Sequence, residues 1–385
     1  MQNVRLNFPR ALWFVLFLCG ANAYSAESFP GVPAPPKLGV GSFILVDFTT
    51  GTVLGELNAD AKAEPASLTK IIASYVVAEA LASGSIALGD TTTVSEKAWR
   101  TEGSRMFIEV NKKVTVDELL QGIIVQSGND ASVALAEHIS GTEDVFATVM
   151  NHTAARLGMV ESGFANSTGL PDPGTYSTAR DLALLARAII RDFPDVYRRF
   201  AEKEYTYGGI RQFNRNRLLG RDSSVDGVKT GHTDAAGYCL VSSAERRGMR
   251  LVAVVMGAES DAARTEASQA LLNYGFRFFE SRKVYDAGDA VAPTKVWKGK
   301  SDEVELGVAA DLHVVTPRGK YDSIEASAEI DESVEAPVSL GQTIGKLVLK
   351  LDGRLLASQP LVATRAVAKG SIFTRAVDGL MMRLE

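Results

Sequence analysis

The pattern of apolar and polar positions divides the chain into segments of different texture. Two short β-rich runs, residues 41–46 and 52–57, flank a Thr-Thr-Gly turn and predict a β-hairpin. After the hairpin, apolar residues recur at helical spacing in segments that are bordered by Gly or Pro. This pattern predicts helices over residues 67–83, 115–124, 131–139, 145–157 and 178–191.

Strand patterns return later in the chain. Residues 238–245 and 250–257 predict two strands joined by a short turn, and the apolar spacing over residues 261–279 predicts a helix after them. The first domain, residues 27–283, is therefore expected to mix α and β structure. Short alternating strands over residues 284–365 predict a second, small all-β domain of the sandwich type.

The last segment, residues 366–385, has an amphipathic helical pattern from Gly370 onwards. Such a helix can pack on the β domain or lie on a membrane surface. We expect the membrane surface, because the terminal amphipathic helix of an exported protein often anchors it. The apolar face holds Phe373, Val377, Leu380, Met381 and Leu384, and the opposite face holds Arg375, Asp378, Met382 and Glu385.

The first 26 residues have the features of a signal peptide. Arg5 and Arg10 precede a short apolar run, and small residues then permit cleavage after Ala23 or Ala26. The run has about half the roughly 20 residues that a membrane-spanning helix needs. We therefore expect export and removal of residues 1–26, with an uncleaved anchor as the alternative.

Composition and charge exclude several classes of function. The 385 residues are 46% hydrophobic and 23% charged, and the net charge of −5 is spread rather than clustered, so nucleic-acid binding is not expected. Removal of the signal peptide leaves Cys239 without a cysteine partner, and its apolar surroundings predict a buried, inert thiol. The histidines are scattered and there is no phosphate-binding Gly-rich loop, so neither metal nor cofactor is implied.

The first candidate for chemistry is the tetrapeptide from Ser67 to Lys70, which follows Pro65 and opens the most apolar helix of the first domain. Ser67 and Lys70 are three positions apart on the predicted helix, so the hydroxyl and the amine lie on one face. A serine hydroxyl needs a base, and a desolvated lysine with a lowered pKa can supply one. We expect a lowered pKa for Lys70.

Two further short motifs follow. Ser127-Gly-Asn129 lies between two predicted helices, where Asn129 or Asp130 could also be a plain helix cap. Lys229-Thr230-Gly231 lies just before the strand at residue 238 or on a strand of its own. Neither motif is informative alone.

In this order and at these separations, the three motifs resemble those of penicillin-binding proteins and serine β-lactamases. The segment Lys229-Thr-Gly-His-Thr-Asp-Ala-Ala-Gly237 is similar to the corresponding motif of the low-molecular-mass D-alanyl-D-alanine carboxypeptidases. The signal peptide, the later β domain and the amphipathic tail resemble those of the same family. The resemblance therefore covers essentially the whole mature chain. The resemblance implies a transpeptidase-like α/β domain, in which helices and an antiparallel sheet enclose a cleft. It also implies a periplasmic protein attached peripherally to the outer face of the cytoplasmic membrane.

The resemblance also implies the reaction. Ser67 would attack the amide between the last two D-alanines of a peptidoglycan stem peptide and would be acylated by β-lactams, with Lys70 as its base. Ser127 and Lys229 would relay a proton to the departing amine. Asn129 would bind the substrate by holding its acyl-side amide, and Thr230 and Gly231 would also bind the substrate. The backbone N–H groups of His232 and Ser67 would together form the oxyanion hole.

Three side chains keep alternative roles. The His232 imidazole could line the substrate site or act in acid–base chemistry. Arg215 and Arg264 match basic residues near the active site of this family, but each could equally form a surface salt bridge. Since Lys70 and Lys229 would face one cleft, each would make charging the other costlier, so one could be neutral while the other stays cationic.

Two rival functions are weaker. A β-lactamase needs a carboxylate for fast deacylation, and the candidate Glu161 is not followed by the Leu-Asn pair that such enzymes show. A non-catalytic peptidoglycan-binding scaffold would not need all three motifs. DD-endopeptidase activity on crosslinks stays open.

Overall fold

The fold was analysed in a computed structural model, which describes residues 29–331 and 333–382. The predicted signal peptide, residues 1–26, lies outside the described residues, as do Leu384 and Glu385 of the tail. The α-helices are α1 (Thr69–Ala82), α2 (Glu96–Arg100), α3 (Val116–Gln121), α4 (Asn129–Ser140), α5 (Glu143–Arg156), α6 (Ala179–Asp192), α7 (Pro194–Tyr197), α8 (Leu218–Arg221), α9 (Asp261–Phe278) and α10 (Ile372–Met381).

Among the described residues, the strands form two larger sheets and three two-stranded ribbons. In chain order they are β1 (Ser42–Asp47), β2 (Val53–Leu57), β3 (Thr91–Thr93), β4 (Lys113–Thr115), β5 (Glu204–Tyr207), β6 (Ile210–Phe213), β7 (Val225–Thr233), β8 (Gly237–Arg246), β9 (Met249–Ala258), β10 (Phe279–Tyr285), β11 (Ala290–Lys295), β12 (Glu303–Val308), β13 (Leu312–Pro317), β14 (Glu325–Ile330), β15 (Thr343–Leu351) and β16 (Arg354–Ala363).

The first domain is a three-layer structure around an antiparallel sheet in the order β2-β1-β9-β8-β7. Side chains alternate between the two faces of β1: Ile44 belongs to the core beneath the main group of helices, whereas Phe43 and Leu45 belong to the core beneath α9. The sheet is thus covered on both faces, and its last strand, β7, lies at an edge that borders the helical part.

The periodic segments agree with the prediction, including the hairpin β1-β2 and the helices α4, α5, α6 and α9. The predicted helix over 115–124 is shorter, because α3 ends at Gln121 and a π-helical turn, Gly122–Gln126, replaces its last turn. Helix α1 is buried on almost every side over Thr69–Ala78, as expected for a helix that is apolar all round.

The second domain is rich in strands. Its antiparallel sheet has the order β11-β12-β16-β15-β14, and the ribbon β10-β13 contributes Leu312 and Val314 to the same core as Leu347 and Leu349 of the sheet. The boundary expected between residues 283 and 284 falls within β10, which pairs with β13. The predicted combination of a mixed α and β domain with a β-rich domain is confirmed.

Helix α10 follows the second domain. Its Asp378 carboxylate accepts a hydrogen bond from the Lys298 N–H at 2.5 Å, whereas Ile372, Phe373 and Leu380 are 80%, 81% and 63% exposed. The helix therefore contacts the domain with a polar side chain and leaves large apolar side chains in solvent. Over the described ranges, no helix has both the length and the apolar character to cross a membrane.

Candidate active site

Ser67 lies in a tight turn that precedes α1. Residues 66–68 form one 3₁₀ turn, and Ala66 has a positive φ of 47°. A side chain is costly in this left-handed region, so surrounding contacts must hold the turn. Strand β7 approaches it so closely that a Cβ on Gly231 would lie 2.8 Å from the Pro65 carbonyl oxygen, which explains glycine at this position.

Lys70 lies one helical turn after Ser67 and is completely buried. Its Nζ atom is 3.2 Å from Ser67 Oγ, and it donates hydrogen bonds to Asn129 Oδ1 and to the Thr168 carbonyl oxygen, both at 2.6 Å. The amine is thereby fixed beside the hydroxyl by two oxygens from other parts of the chain.

Burial lowers the pKa of Lys70 to about 7, and the positive charge of Arg215 acts in the same direction against the carboxylates of Asp130 and Glu143. The predicted lowering of the Lys70 pKa is thus confirmed. Burial also lowers the pKa of Lys229 well below its usual range, with further contributions from the charges of Lys70, Arg215 and Arg264. Both lysines are thus shifted towards neutrality, as expected for two amines that face one cleft. The division into one neutral and one cationic amine stays a prediction.

Ser127 follows the π-helical turn and has a left-handed backbone with φ 67°. Its side chain is 2% exposed, and its Oγ has no hydrogen-bond partner among the described residues although it borders the cleft. A hydroxyl that borders the cleft without a partner in the described chain is free to bond to a ligand there.

The alternative role as a helix cap holds in part for Asp130, whose Oδ1 accepts a hydrogen bond from Ala131 N in the first turn of α4 at 2.9 Å, and not for Asn129. Helix α4 begins at Asn129, but no side chain caps its first turn from the preceding position. Asn129 bridges Lys70 and the Glu102 carbonyl oxygen, to which its Nδ2 donates at 2.6 Å. Asp130 also accepts hydrogen bonds from the N–H groups of Met106 and Phe107 at 2.9 Å and thereby fixes the segment that follows Ser104, which lines the cleft.

The third motif lies on β7, the second of the two locations considered from the sequence. Lys229 is 3% exposed, and its Nζ donates to the Thr230 carbonyl oxygen at 3.2 Å. Thr230 and Gly231 line the cleft, and the exposed His232 ring lies 4.0 Å from the ring of Tyr238. This tilted ring contact gives the imidazole an aromatic neighbour at the cleft, which agrees with a residue that lines the substrate site.

The two arginines have different surroundings. Arg264 is buried, forms an ion pair with Asp261 and donates to the Gly231 carbonyl oxygen at 2.9 Å, so it supports β7 where that strand borders the cleft. Arg215 lines the cleft and, in the part of the chain that is described, has no carboxylate partner. The surface salt bridge considered for both is thus absent at Arg215, and at Arg264 the ion pair is buried. Arg217, which the sequence did not single out, also borders the cleft and pairs with Asp261 at 2.5 Å.

These residues enclose one cleft of about 440 Å³. It brings nine of the predicted residues together, and Lys229 lies buried beside them. The nine are Ser67, Ser127, Asn129, Arg215, Thr230, Gly231, His232 and Arg264 at the cleft surface and Lys70 immediately behind Ser67.

The sequence did not reveal the wall formed by Thr168 and Gly169. Gly169 has φ 78°, and a Cβ there would lie 1.8 Å from the Ala66 carbonyl oxygen. The Asn166-Ser-Thr-Gly169 segment has the composition of a turn, and Asn166 Oδ1 accepts from the Gly169 N–H at 2.8 Å, so the turn itself was detectable. The contact of this segment with the nucleophile turn, the turn at residues 66–68 that carries Ser67, could not be detected from the sequence.

Glu161, the candidate considered for a β-lactamase, lies away from the chemistry. It forms a half-exposed ion pair with Lys62 at 2.8 Å and does not border the cleft. Within residues 29–331 and 333–382, no cluster of His, Cys, Asp and Glu side chains could hold a metal ion.

Comparison with known proteins agrees with this geometry. The sequence profile for D-alanyl-D-alanine carboxypeptidase matches residues 31–260, and the profile for the C-terminal domain of penicillin-binding protein 5 matches residues 279–369. The chain belongs to the D-alanyl-D-alanine carboxypeptidase family. The family resemblance and the enzyme class that the three motifs implied are thereby confirmed.

Individual relatives extend the match over both domains. The D-alanyl-D-alanine carboxypeptidase DacA of Escherichia coli (strain K12) is 40% identical over 370 residues, which cover 94% of this chain and 92% of the relative. The crystal structure of penicillin-binding protein 5 from Haemophilus influenzae superposes with a TM-score of 0.85 at 42% identity, covering 88% of this chain and 100% of that chain. Penicillin-binding protein D2 from Listeria monocytogenes, solved in an ampicillin-bound form, covers 63% of this chain and 100% of that chain at 29% identity with a TM-score of 0.59.

Proposed function

We propose that this protein removes the terminal D-alanine from peptidoglycan stem peptides through an acyl-Ser67 intermediate. The observation that carries the proposal is the contact between Lys70 Nζ and Ser67 Oγ at 3.2 Å, made by an amine whose burial lowers its pKa to about 7. A base with a pKa near the working pH can accept the hydroxyl proton and return it later.

In the acylation step, Ser67 Oγ attacks the carbonyl carbon of the D-Ala-D-Ala amide and its proton moves to Lys70 Nζ. The N–H groups of Ser67 and His232 stabilise the oxyanion that forms. As the C–N bond breaks, the departing nitrogen takes up a proton relayed through Ser127 Oγ, and free D-alanine leaves. Water then attacks the ester, with Lys70 again as base, and Ser67 regains its proton.

Substrate recognition uses the opposite side of the cleft. Thr230 and the uncompensated charge of Arg215 hold the substrate carboxylate, while Arg264 keeps Gly231 in place through its hydrogen bond to the Gly231 carbonyl oxygen. A bound carboxylate favours the charged form of Lys229, whose pKa is lowered by burial and by the charges of nearby cations. Asn129 holds the acyl-side amide through its second Nδ2 hydrogen while its oxygen keeps Lys70 in place.

β-Lactams acylate the same serine. The ampicillin-bound form of the Listeria monocytogenes relative supports this extension, since that protein shares the fold of the first domain. In this chain, Glu161 faces solvent, so nothing at that position assists rapid hydrolysis of a penicilloyl ester. A long-lived adduct on Ser67 follows.

The proposed location is the periplasm, on the outer face of the cytoplasmic membrane. Residues 1–26 direct export, and α10 binds the membrane surface with the apolar side chains that it exposes, among them Ile372, Phe373 and Leu380. The β domain separates α10 along the chain from the catalytic domain and acts as a stalk that raises the cleft towards peptidoglycan.

The test is release of D-alanine from a peptide that ends in D-Ala-D-Ala. The wild-type protein is compared with Ser67→Ala and with Ser85→Ala, which alters an exposed serine after α1. Release by wild type and Ser85→Ala together with loss in Ser67→Ala establishes the reaction and its nucleophile. A folded wild-type protein that releases no D-alanine contradicts the proposal.

A further inference from the structure

A buried carboxylate lies behind the wall of the cleft and belongs to none of the three motifs. Glu143, the first residue of α5, is 7% exposed. Its Oε1 accepts hydrogen bonds from Ser167 N at 3.0 Å and Ser167 Oγ at 2.8 Å, and its Oε2 pairs with Lys97 Nζ at 2.9 Å. A buried charge needs such compensation, and here the segment that forms the cleft wall supplies it.

Glu143 is not needed as the cap of its own helix. Thr142 provides the cap, since its Oγ1 accepts a hydrogen bond from Val145 N at 3.3 Å. The carboxylate points instead to residues 166–170, which cross behind the nucleophile turn.

The contacts of this segment lead directly to the catalytic amine. Ser132 Oγ donates to the Ser167 carbonyl oxygen at 2.8 Å, and Lys70 Nζ donates to the next carbonyl oxygen, that of Thr168, at 2.6 Å. The dipeptide Ser167-Thr168 is thus fixed by Glu143 at the Ser167 N–H, by Ser132 at the Ser167 carbonyl oxygen and by Lys70 at the Thr168 carbonyl oxygen.

We propose that Glu143 is a positioning residue for the reaction: by holding Ser167, it fixes the Thr168 carbonyl oxygen and the Lys70 amine beside Ser67. The inference rests on the proposed carboxypeptidase function, because it concerns the same base. Glu143 does not touch the substrate and acts only through Ser167 and Thr168.

The charge of Glu143 adds an electrostatic effect that can be measured. Although burial acts in the opposite direction, hydrogen bonds from Lys97 and Ser167 hold the pKa of Glu143 below its usual range, so it is anionic at neutral pH. This negative charge favours the ammonium form of Lys70. The other charged groups that act on this network are Asp130, Arg215 and Lys229 at Lys70, and Asp144 and Glu137 at Lys97.

Three variants separate position from charge. Glu143→Gln keeps an oxygen that accepts from Ser167 but removes the negative charge, Glu143→Ala removes both, and Lys97→Met leaves Glu143 without its cation. The rate of Ser67 acylation by a fluorescent penicillin is measured from pH 5 to 9 for each. Lys62→Met is the matched control, because it makes the same change in the half-exposed pair of Lys62 with Glu161.

The rate at high pH reports on position. We expect a fall of roughly 10- to 100-fold in Glu143→Ala, because small displacements of reacting groups are costly, and substantial recovery in Glu143→Gln. The acidic limb of the pH–rate profile reports on the charge at residue 143. It should move to lower pH in Glu143→Gln and to higher pH in Lys97→Met, each by up to about one unit, and should not move in Lys62→Met.

The outcomes discriminate between the claims. Opposite shifts of the limb cannot arise from a general loss of stability, which would lower the rate at every pH. An unchanged rate at high pH in Glu143→Ala overturns the positioning role. If Glu143→Ala does not fold, the half-exposed Lys97 still decides, since an unchanged high-pH rate in Lys97→Met, which frees Glu143 Oε2 from its only cation among the described residues, overturns that role. An unshifted acidic limb in both Glu143→Gln and Lys97→Met overturns the electrostatic effect. A wild-type protein that is not acylated at all contradicts the proposed function instead.

Discussion

Lys70 Nζ lies 3.2 Å from Ser67 Oγ, and its two closer neighbours, at 2.6 Å, are oxygens that can only accept hydrogen bonds. A neutral amine has two hydrogens and one lone pair. If the hydrogens point to Asn129 Oδ1 and the Thr168 carbonyl oxygen, the lone pair is left for the Ser67 hydroxyl. The same three contacts that bury the amine therefore also orient it as a base.

The first prediction concerns the pH dependence of acylation. Burial lowers the pKa of Lys70 to about 7, so protonation below that pH occupies the lone pair and the rate should fall as the pH drops from 8 to 5. The measurement is the rate of labelling by a fluorescent penicillin at constant ionic strength. An acidic limb near the ordinary lysine pKa of about 10.4 would contradict the assignment of Lys70 as the neutral base.

The sequence could predict the parts of the site that depend on local spacing. Ser67 and Lys70 share a helical face because they are three residues apart, and Lys229 lies on a strand whose apolar neighbours continue it. The main partner of Asn129 was predicted less well. The resemblance implied that Asn129 holds the acyl-side amide of the substrate, and it gave no sign that in the folded chain its oxygen bonds to Lys70, 59 residues away.

Contacts made by backbone atoms could not be predicted from the sequence. The Thr168 carbonyl oxygen bonds to Lys70 across 98 residues, and a carbonyl group has no residue type by which it could be recognised. The same holds for the close approach of Gly169 to Ala66, since glycine has many uses in turns. Such contacts follow from the packing of the whole domain.

A second prediction uses the unpartnered hydroxyl of Ser127. Removal of a buried group without a hydrogen bond should leave the free energy of unfolding unchanged or raise it by about 1 kcal/mol, so Ser127→Ala should fold at least as stably as wild type. Because the hydroxyl relays the proton in the proposed reaction, D-alanine release should fall by roughly 10²- to 10⁴-fold.

Ser132→Ala is the matched control for Ser127→Ala. The Ser132 hydroxyl is also buried but donates to the Ser167 carbonyl oxygen at 2.8 Å. Its loss leaves that oxygen unpaired and should lower the free energy of unfolding by about 1–3 kcal/mol. Urea unfolding of the two variants checks both values, and a larger loss of stability in Ser127→Ala than in Ser132→Ala would be inconsistent with an unpaired Ser127 hydroxyl.

A third prediction concerns α10 as a membrane-binding helix. Phe373 and Leu380 are 81% and 63% exposed, and burial of such a side chain in lipid contributes about 1.5–3 kcal/mol. Phe373→Asp or Leu380→Asp should therefore reduce binding to lipid vesicles by at least about tenfold in a flotation assay. Leu355→Asp is the control, because Leu355 is 57% exposed on β16, outside the helix. Equal binding of all three variants would refute attachment through α10.

The last prediction tests the contact between the segment of residues 166–170 and the nucleophile turn. Gly169 and Gly141 both have φ 78°, so alanine at either position carries a similar backbone penalty of about 1–2 kcal/mol. The two glycines differ in the room that is available for a Cβ atom. A Cβ at Gly169 would lie 1.8 Å from the Ala66 carbonyl oxygen, whereas a Cβ at Gly141 would meet no atom within 4 Å. The Ala66 oxygen belongs to the backbone beside Ser67 and can move only if the turn moves.

Gly169→Ala should therefore have a lower melting temperature than Gly141→Ala and should also lose most of its penicillin labelling, because displacement of the turn separates Ser67 from Lys70. Gly141→Ala should be labelled at the wild-type rate, since Gly141 ends α4 far along the chain from either residue. Equal melting temperatures and equal labelling rates for the two variants would show that the turn does not depend on this contact. Loss of labelling in Gly169→Ala without loss of stability would instead mean that the segment shifts and that the position of the Lys70 amine depends on it.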